Sequence, residues 1–185
     1  MQLAVFGGSF DPVHTAHVSI VNEALNSLNI DRLIVVPTYL NPFKTDFHFE
    51  PELRKNLLEK VFKKNKKVEI CDYEIKQNRA VYSIETIRYL KNLYKPSKIF
   101  IIIGADNVEH LDKWHKIDEL KSLAEFIIAT RNGFKKTDCS FKILNVNVDI
   151  SSTQLRDSLD LDYIPIQIKE DIIDLQNNKK GKIFE

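Results

Sequence analysis

Four short runs of the chain are continuously apolar: residues 3–6, 33–36, 99–103 and 126–130. Continuous rather than alternating runs predict strands covered on both faces. Between them lie amphipathic stretches of helical length, at about 14–28, 51–64, 82–93 and 108–120. In the first, Ala16, Ile20, Ala24 and Leu28 recur every four residues and fall on one face of a helix. Residues 68–75 and 141–148 read as two further strands. Strands and helices alternating through short connectors predict an α/β fold: a doubly wound, mostly parallel sheet with helices on both faces, Rossmann-like. In such a sheet, ligands sit beyond the carboxyl ends of the strands, where the winding reverses. The whole chain, 1–185, reads as a single domain with a helical subregion at about 151–176. The lysine-rich stretch 63–67 reads as a solvated turn after a helix, and the polar stretch 177–181 as a fraying end.

Composition changes this picture little. Hydrophobic residues make up 43% and charged residues 29%, ordinary for a water-soluble globular domain. A formal net charge of +1 argues against a broad polyanion-binding surface, so no nucleic-acid partner is expected. No run approaches the roughly 20 apolar residues that span a bilayer, and no membrane partner is expected. Met1-Gln2 offers no basic leader, and Gly7-Gly8 interrupts the first apolar run. Cys71 and Cys139 lack CxxC spacing, which fits free thiols in a reducing cytoplasm.

The chemistry starts at the first strand end, in Gly7-Gly8-Ser9-Phe10-Asp11-Pro12-Val13-His14-Thr15-Ala16-His17. Glycine lets backbone approach a ligand closely and adopt positive φ, so that paired N–H groups can face an anion. A helix starting there aims its N-terminal dipole at the same spot. His14 and His17, three apart, admit three readings: unrelated surface residues, part of a zinc site, or imidazole donors to phosphate. Zinc requires further ligands, and His48, His110 and His115 bring no Cys or Glu at metal spacing. Two directional, titratable donors suit a triphosphate, and the flanking Gly-Gly and helix start favour that reading. GGSFDPVHTAH resembles the signature of the nucleotidyltransferase superfamily that shares the HxGH motif. At 185 residues the chain resembles its small adenylyltransferases.

A second motif lies near the other end, Ile150-Ser151-Ser152-Thr153-Gln154-Leu155-Arg156. Clustered hydroxyls before a helical pattern read as a cap, and Arg156, about a turn further on, could reach a phosphate held there. ISSTxxR matches the superfamily's second signature.

The middle of the chain is similar to the nicotinate and nicotinamide mononucleotide adenylyltransferases. Pro37-Thr38-Tyr39-Leu40-Asn41-Pro42-Phe43-Lys44 resembles their PxxxPPHK segment, with Asn41 for the usual Pro and Phe43 for the usual His. Asp72-Tyr73-Glu74 through Tyr82-Ser83-Ile84-Glu85-Thr86 resembles their D-x-E…S-Y-T stretch. Tyr82 and Thr86 read equally as a helix start, with Ser83 capping. Gly104-Ala105-Asp106 followed by Lys113-Trp114-His115 resembles their GAD…KW segment. Trp114, the single Trp, is a suitable flat surface for a pyridine ring.

The resemblance implies transfer of AMP from ATP to nicotinate mononucleotide, giving nicotinate adenine dinucleotide and pyrophosphate in NAD biosynthesis. It implies His14, His17, Lys44 and Arg156 as the catalytic charges. It implies Gly7, Gly8, Ser9, Phe10, Gly104, Asp106, Arg131, Ile150, Ser151, Ser152 and Thr153 at ATP, and Asn41, Lys44, Tyr82, Thr86, Trp114 and His115 at the second substrate. Mg²⁺ would be held mainly by phosphates and water, with Asp11 touching it through water or simply forming the turn. Phosphopantetheine adenylyltransferase, which shares only the end motifs, and a non-catalytic nucleotide sensor of the same fold are the alternatives.

Overall fold

A computed structural model of the chain describes residues 1–130, 141–146, 150, 152–158 and 160–181. Six strands form one parallel sheet: β1 (Gln2–Gly8), β2 (Arg32–Pro37), β3 (Val68–Ile70), β4 (Lys98–Gly104), β5 (Glu125–Thr130) and β6 (Lys142–Asn145). Their spatial order is β3-β2-β1-β4-β5-β6, so the winding reverses between β1 and β4. The expected doubly wound α/β sheet is present.

Alternation within the strands splits the core in two. Ala4, Phe6, Leu33, Val35, Phe100 and Ile102 face helices α1 (Thr15–Ser27) and α2 (Pro51–Phe62). Leu3, Val5, Ile34, Val36, Ile99 and Ile101 face α4 (Ser83–Tyr94) and α5 (Ile117–Leu123) on the opposite side. Both faces of each central strand are therefore buried, which is why the runs carry no polar alternation. Each run extends a residue or two beyond its apolar stretch, because backbone pairing continues where side chains turn polar. Leu155 of α6 (Ser152–Ser158) and Ile172 of α7 (Lys169–Gly181) join the α1 side of the core.

Three local expectations are corrected. The strand expected over 68–75 stops at Ile70, and a short helix, α3 (Tyr73–Lys76), follows. The helix expected over 108–120 is instead a 3-10 helix, Ala105–Lys113, then α5; between them Lys116 takes a left-handed φ of 55° that breaks the helical run. The end expected to fray stays helical through Gly181. The lysine-rich stretch after α2 is the exposed turn its charge predicts.

Candidate active site

The carboxyl ends of β1 and β4 open into a cleft of ≈ 700 Å³ at the point where the winding reverses. One wall is the glycine turn. Gly7 and Gly8 are still strand, paired with Val36 and Pro37, and neither has the positive φ expected of them. That conformation falls instead to Phe10, φ 48°. A Cβ at Gly8 would stand 3.2 Å from the Phe10 ring, so glycine there makes room for a buried aromatic. A Cβ at Gly7 would meet only the Val36 carbonyl, at 3.9 Å. Packing does not demand glycine at 7; what it leaves is bare backbone on the cleft wall.

The two histidines come together by a different geometry from the one expected. His14 lies just outside α1 as its N-cap, while His17 is in the first turn. The His14 backbone N–H donates to His17 Nδ1 at 3.2 Å, and the rings stack with centroids 3.7 Å apart. Phe10 packs on His17 at 4.8 Å between centroids. An accepting Nδ1 puts the hydrogen of the neutral ring on Nε2, which becomes the donor nitrogen. Both imidazoles line the cleft.

Asp11 is buried, and its two carboxylate oxygens accept the backbone N–H groups of His48 (2.7 Å) and Phe49 (2.8 Å). Its carboxylate therefore ties the loop after β2 to the glycine turn. Arg156 Nη1 donates to the Asp11 carbonyl at 2.6 Å and Nη2 to Thr153 Oγ1 at 3.2 Å. Ser152 Oγ donates to the Pro12 carbonyl at 3.2 Å. The second motif is thus laced to the first through that turn. Ser152 and Thr153 line the cleft, while Ile150 is buried in the core. Ser151 and Arg131 lie outside the described residues.

The far end of the cleft holds the remaining expected residues. Asn41 Oδ1 accepts the Phe43 N–H at 2.9 Å, and the Asn41 carbonyl accepts the Lys44 N–H at 2.9 Å. Asn41 thus closes an Asx turn that fixes the backbone of this segment. Lys44 and Phe43 stand exposed at the lip. Tyr82, not Ser83, is the N-cap of α4, and Glu85 accepts its backbone N–H at 3.0 Å. The Tyr82 and His115 rings lie 4.5 Å apart across the mouth. Trp114, half-buried, meets Phe126 edge-to-face at 6.2 Å and presents the rest of its indole to the cleft. At the end of β4, the Asp106 carboxylate folds back over Gly104, where any Cβ would collide with it.

Two residues matter that the sequence reading passed over. Arg54 of α2 is 1% exposed, yet its guanidinium donates to the carbonyls of Phe49, Ser9, Thr38 and Tyr39 at 2.6–2.9 Å. Burial pushes its pKa below the ordinary value, with Asp11 and Glu50 opposing. Arg54 shares the buried stripe of α2 with Leu57, Leu58 and Val61; a charge inside an apolar stripe was the available signal. Glu74, a member of the Asp72-Tyr73-Glu74 motif, is 5% exposed and lines the cleft. Thr86 Oγ1 donates to its Oε1 at 2.6 Å. Burial raises its pKa to about 7; the Thr86 hydrogen bond opposes this and Glu85 adds to it.

Known proteins agree with this architecture. A family model described as cytidylyltransferase-like matches residues 5–158. A protein of Aliarcobacter butzleri named "Probable nicotinate-nucleotide adenylyltransferase" is 58% identical over 182 residues, 98% of this chain and all of its own length. A Nitratiruptor protein of the same name is 48% identical, covering 94% of this chain and 97% of its own. Among solved structures, the nicotinic acid mononucleotide adenylyltransferase of Plasmodium falciparum complexed with NaAD superposes with a TM-score of 0.75. It is 21% identical, over 94% of this chain and 95% of that one, and shows the same fold. No helix among the described residues is long and apolar enough to cross a membrane. With its glycine turn, stacked histidines and second hydroxyl motif gathered at one switch point, the chain belongs to the cytidylyltransferase-like nucleotidyltransferases and, within them, to the nicotinate-nucleotide adenylyltransferase family.

Proposed function

We propose that the protein transfers the adenylyl group of ATP to nicotinate mononucleotide. One observation carries the reading: a phosphate-type wall (Gly7, Gly8, His14, His17) and a ring-type wall (Tyr82, Thr86, Trp114, His115) face one cleft. In this reading ATP lies along the β1 and β4 ends, with its base and ribose near Gly104 and Asp106. The triphosphate meets Gly7, Gly8, Ser9 and the histidines, with Ser152 and Thr153 across from them. Phe10 and Arg156 act by holding the turn, as does Ile150 from the core. Ser151 and Arg131 complete the ATP contacts implied by the resemblance. The mononucleotide's pyridine sits between Trp114 and the Tyr82–Thr86 helix start, and Asn41 presents Lys44 to its phosphate.

The reaction needs no covalent intermediate. An oxygen of the acceptor phosphate attacks the ATP α-phosphorus in line, a new P–O bond forms, and the bond to the β-phosphate oxygen breaks as pyrophosphate leaves. Catalysis is then positioning and charge neutralisation. His17 Nε2 and His14 donate to the α- and β-phosphate oxygens as charge grows there. Lys44 orients the attacking phosphate. The donor set fits Mg²⁺ brought in on the triphosphate. Each Asp11 oxygen already accepts a backbone N–H, and the phosphate-type wall is built of N–H, imidazole and hydroxyl groups. When bound, the ion would neutralise triphosphate charge.

The test is pyrophosphate release from Mg-ATP with nicotinate mononucleotide, nicotinamide mononucleotide or phosphopantetheine in turn. Release strongest with the first is expected. Release only with phosphopantetheine, or binding of ATP without release, would overturn the assignment.

A further inference from the structure

At the ring end of the cleft, a carboxyl group and a hydroxyl stand within hydrogen-bond distance of each other. Glu74 and Thr86 are 5% and 3% exposed, and Thr86 Oγ1 stands 2.6 Å from Glu74 Oε1. Glu74 Oε2 is buried and has no hydrogen-bond partner among the described residues. Both residues line the cleft. A hydroxyl has one hydrogen to give. When Glu74 is ionised, Thr86 spends that hydrogen on Oε1 and presents only lone pairs elsewhere. When Glu74 is neutral, its own O–H can donate to Thr86 Oγ1, and the Thr86 hydrogen can turn to a ligand. We propose that Glu74 sets the acid-over-amide preference of the acceptor site: neutral, it frees the Thr86 hydroxyl for a pyridine carboxylate; ionised, it withholds that hydroxyl and repels the carboxylate.

This inference rests on the pyridine ring lying at Thr86, as in the functional reading above. It adds what that reading leaves open, namely how a site with a buried carboxylate beside Thr86 accepts an acid. An amide acceptor has no charge to be repelled and carries N–H groups of its own, so it tolerates either state of Glu74. Burial, with no cation partner among the described residues, raises the Glu74 pKa to about 7 against the Thr86 hydrogen bond, with the Glu85 charge on α4 adding to the rise, and makes the neutral form accessible. The other ionisable groups bearing on it are the Cys71 thiol before α3 and, through Glu85, Arg79 and His115. Lys44, Lys113, His14 and His17 share the cleft lining. Glu74 is a positioning residue here, acting through Thr86 and its own charge.

The experiment compares kcat/KM for nicotinate and nicotinamide mononucleotide from pH 6 to 8.5, with Ki replacing kcat/KM for a poor substrate. ATP, the acceptor phosphate and the groups that hold them are common to both reactions, so their titrations cancel in the ratio. The acid-to-amide ratio is expected to be highest at the acid end and to fall about tenfold by pH 8.5. In Glu74→Gln, whose amide donates to Thr86 at every pH, it should stay flat at the high value. Above pH 7 the wild type should also take up a proton on binding the acid but not the amide, read by calorimetry in buffers of different ionisation enthalpy. This measurement decides the matter even if the variant folds poorly.

A flat wild-type ratio, a slope that survives in Glu74→Gln, or equal proton uptake with both ligands overturns the assignment while leaving acid adenylylation intact. Failure of both mononucleotides to react or bind instead overturns the functional reading, and this inference with it.

Discussion

At His17 one ring nitrogen accepts the His14 backbone N–H while the ring stacks on the His14 imidazole and meets Phe10 in a T-shaped contact, so the imidazole is held in place before any ligand arrives. A donor aimed in advance at developing charge commonly contributes about 10²–10³ in turnover. His17→Ala should lose at least that in kcat with an unchanged circular dichroism spectrum; near-normal turnover would remove His17 from the mechanism. Glu74 gives a prediction about stability. A carboxyl raised from 4.5 to about 7 favours the fold fully below about pH 4.5, and that contribution is lost as pH rises through 7. Denaturant titrations should show stability falling across this window by at most about 3 kcal/mol, with the decline absent in Glu74→Gln. At Gly104 a methyl group would displace the Asp106 carboxylate, the end of an exposed side chain, rather than backbone. Gly104→Ala should therefore raise the KM for ATP several-fold while leaving Tm within about 2 °C.

At the scale of elements, the loop after β2 is the part most dependent on long-range contacts. Its backbone is gathered by Arg54 from α2 and by Asp11 from the glycine turn. Arg54→Met would leave four buried or half-buried carbonyls short of a donor, at a cost on the order of 3 kcal/mol or more. Thermal melts should show that loss, and the surviving folded enzyme should have a raised acceptor KM because Lys44 is no longer positioned. An unchanged Tm would mean that water replaces the guanidinium. The same elements show how much was legible from residues alone. β1, β2, β4 and β5 were readable because strands buried on both faces must be continuously apolar. The short α3 was not, since a four-residue helix has no periodicity to display. The 3-10 segment 105–113 was misread because its apolar positions suit a longer helix, and only the backbone at Lys116 reveals the break. Arg54 was missed for a related reason: its partners are carbonyls, which carry no sequence signature.

At the scale of the molecule, reversal of the winding between β1 and β4 brings together motifs some 140 residues apart, with Arg156 and Ser152 bonded to carbonyls of the first motif. The motifs predicted that meeting, but not that Arg156 would be turned toward backbone or that the histidines would stack. The central claim is that the adenylyl group itself moves. It is tested most directly with ATP labelled at the α-phosphorus, Mg²⁺ and nicotinate mononucleotide. The label should appear in a dinucleotide formed in a one-to-one ratio with unlabelled pyrophosphate. Label recovered only in ATP or AMP, with no dinucleotide, would contradict the account.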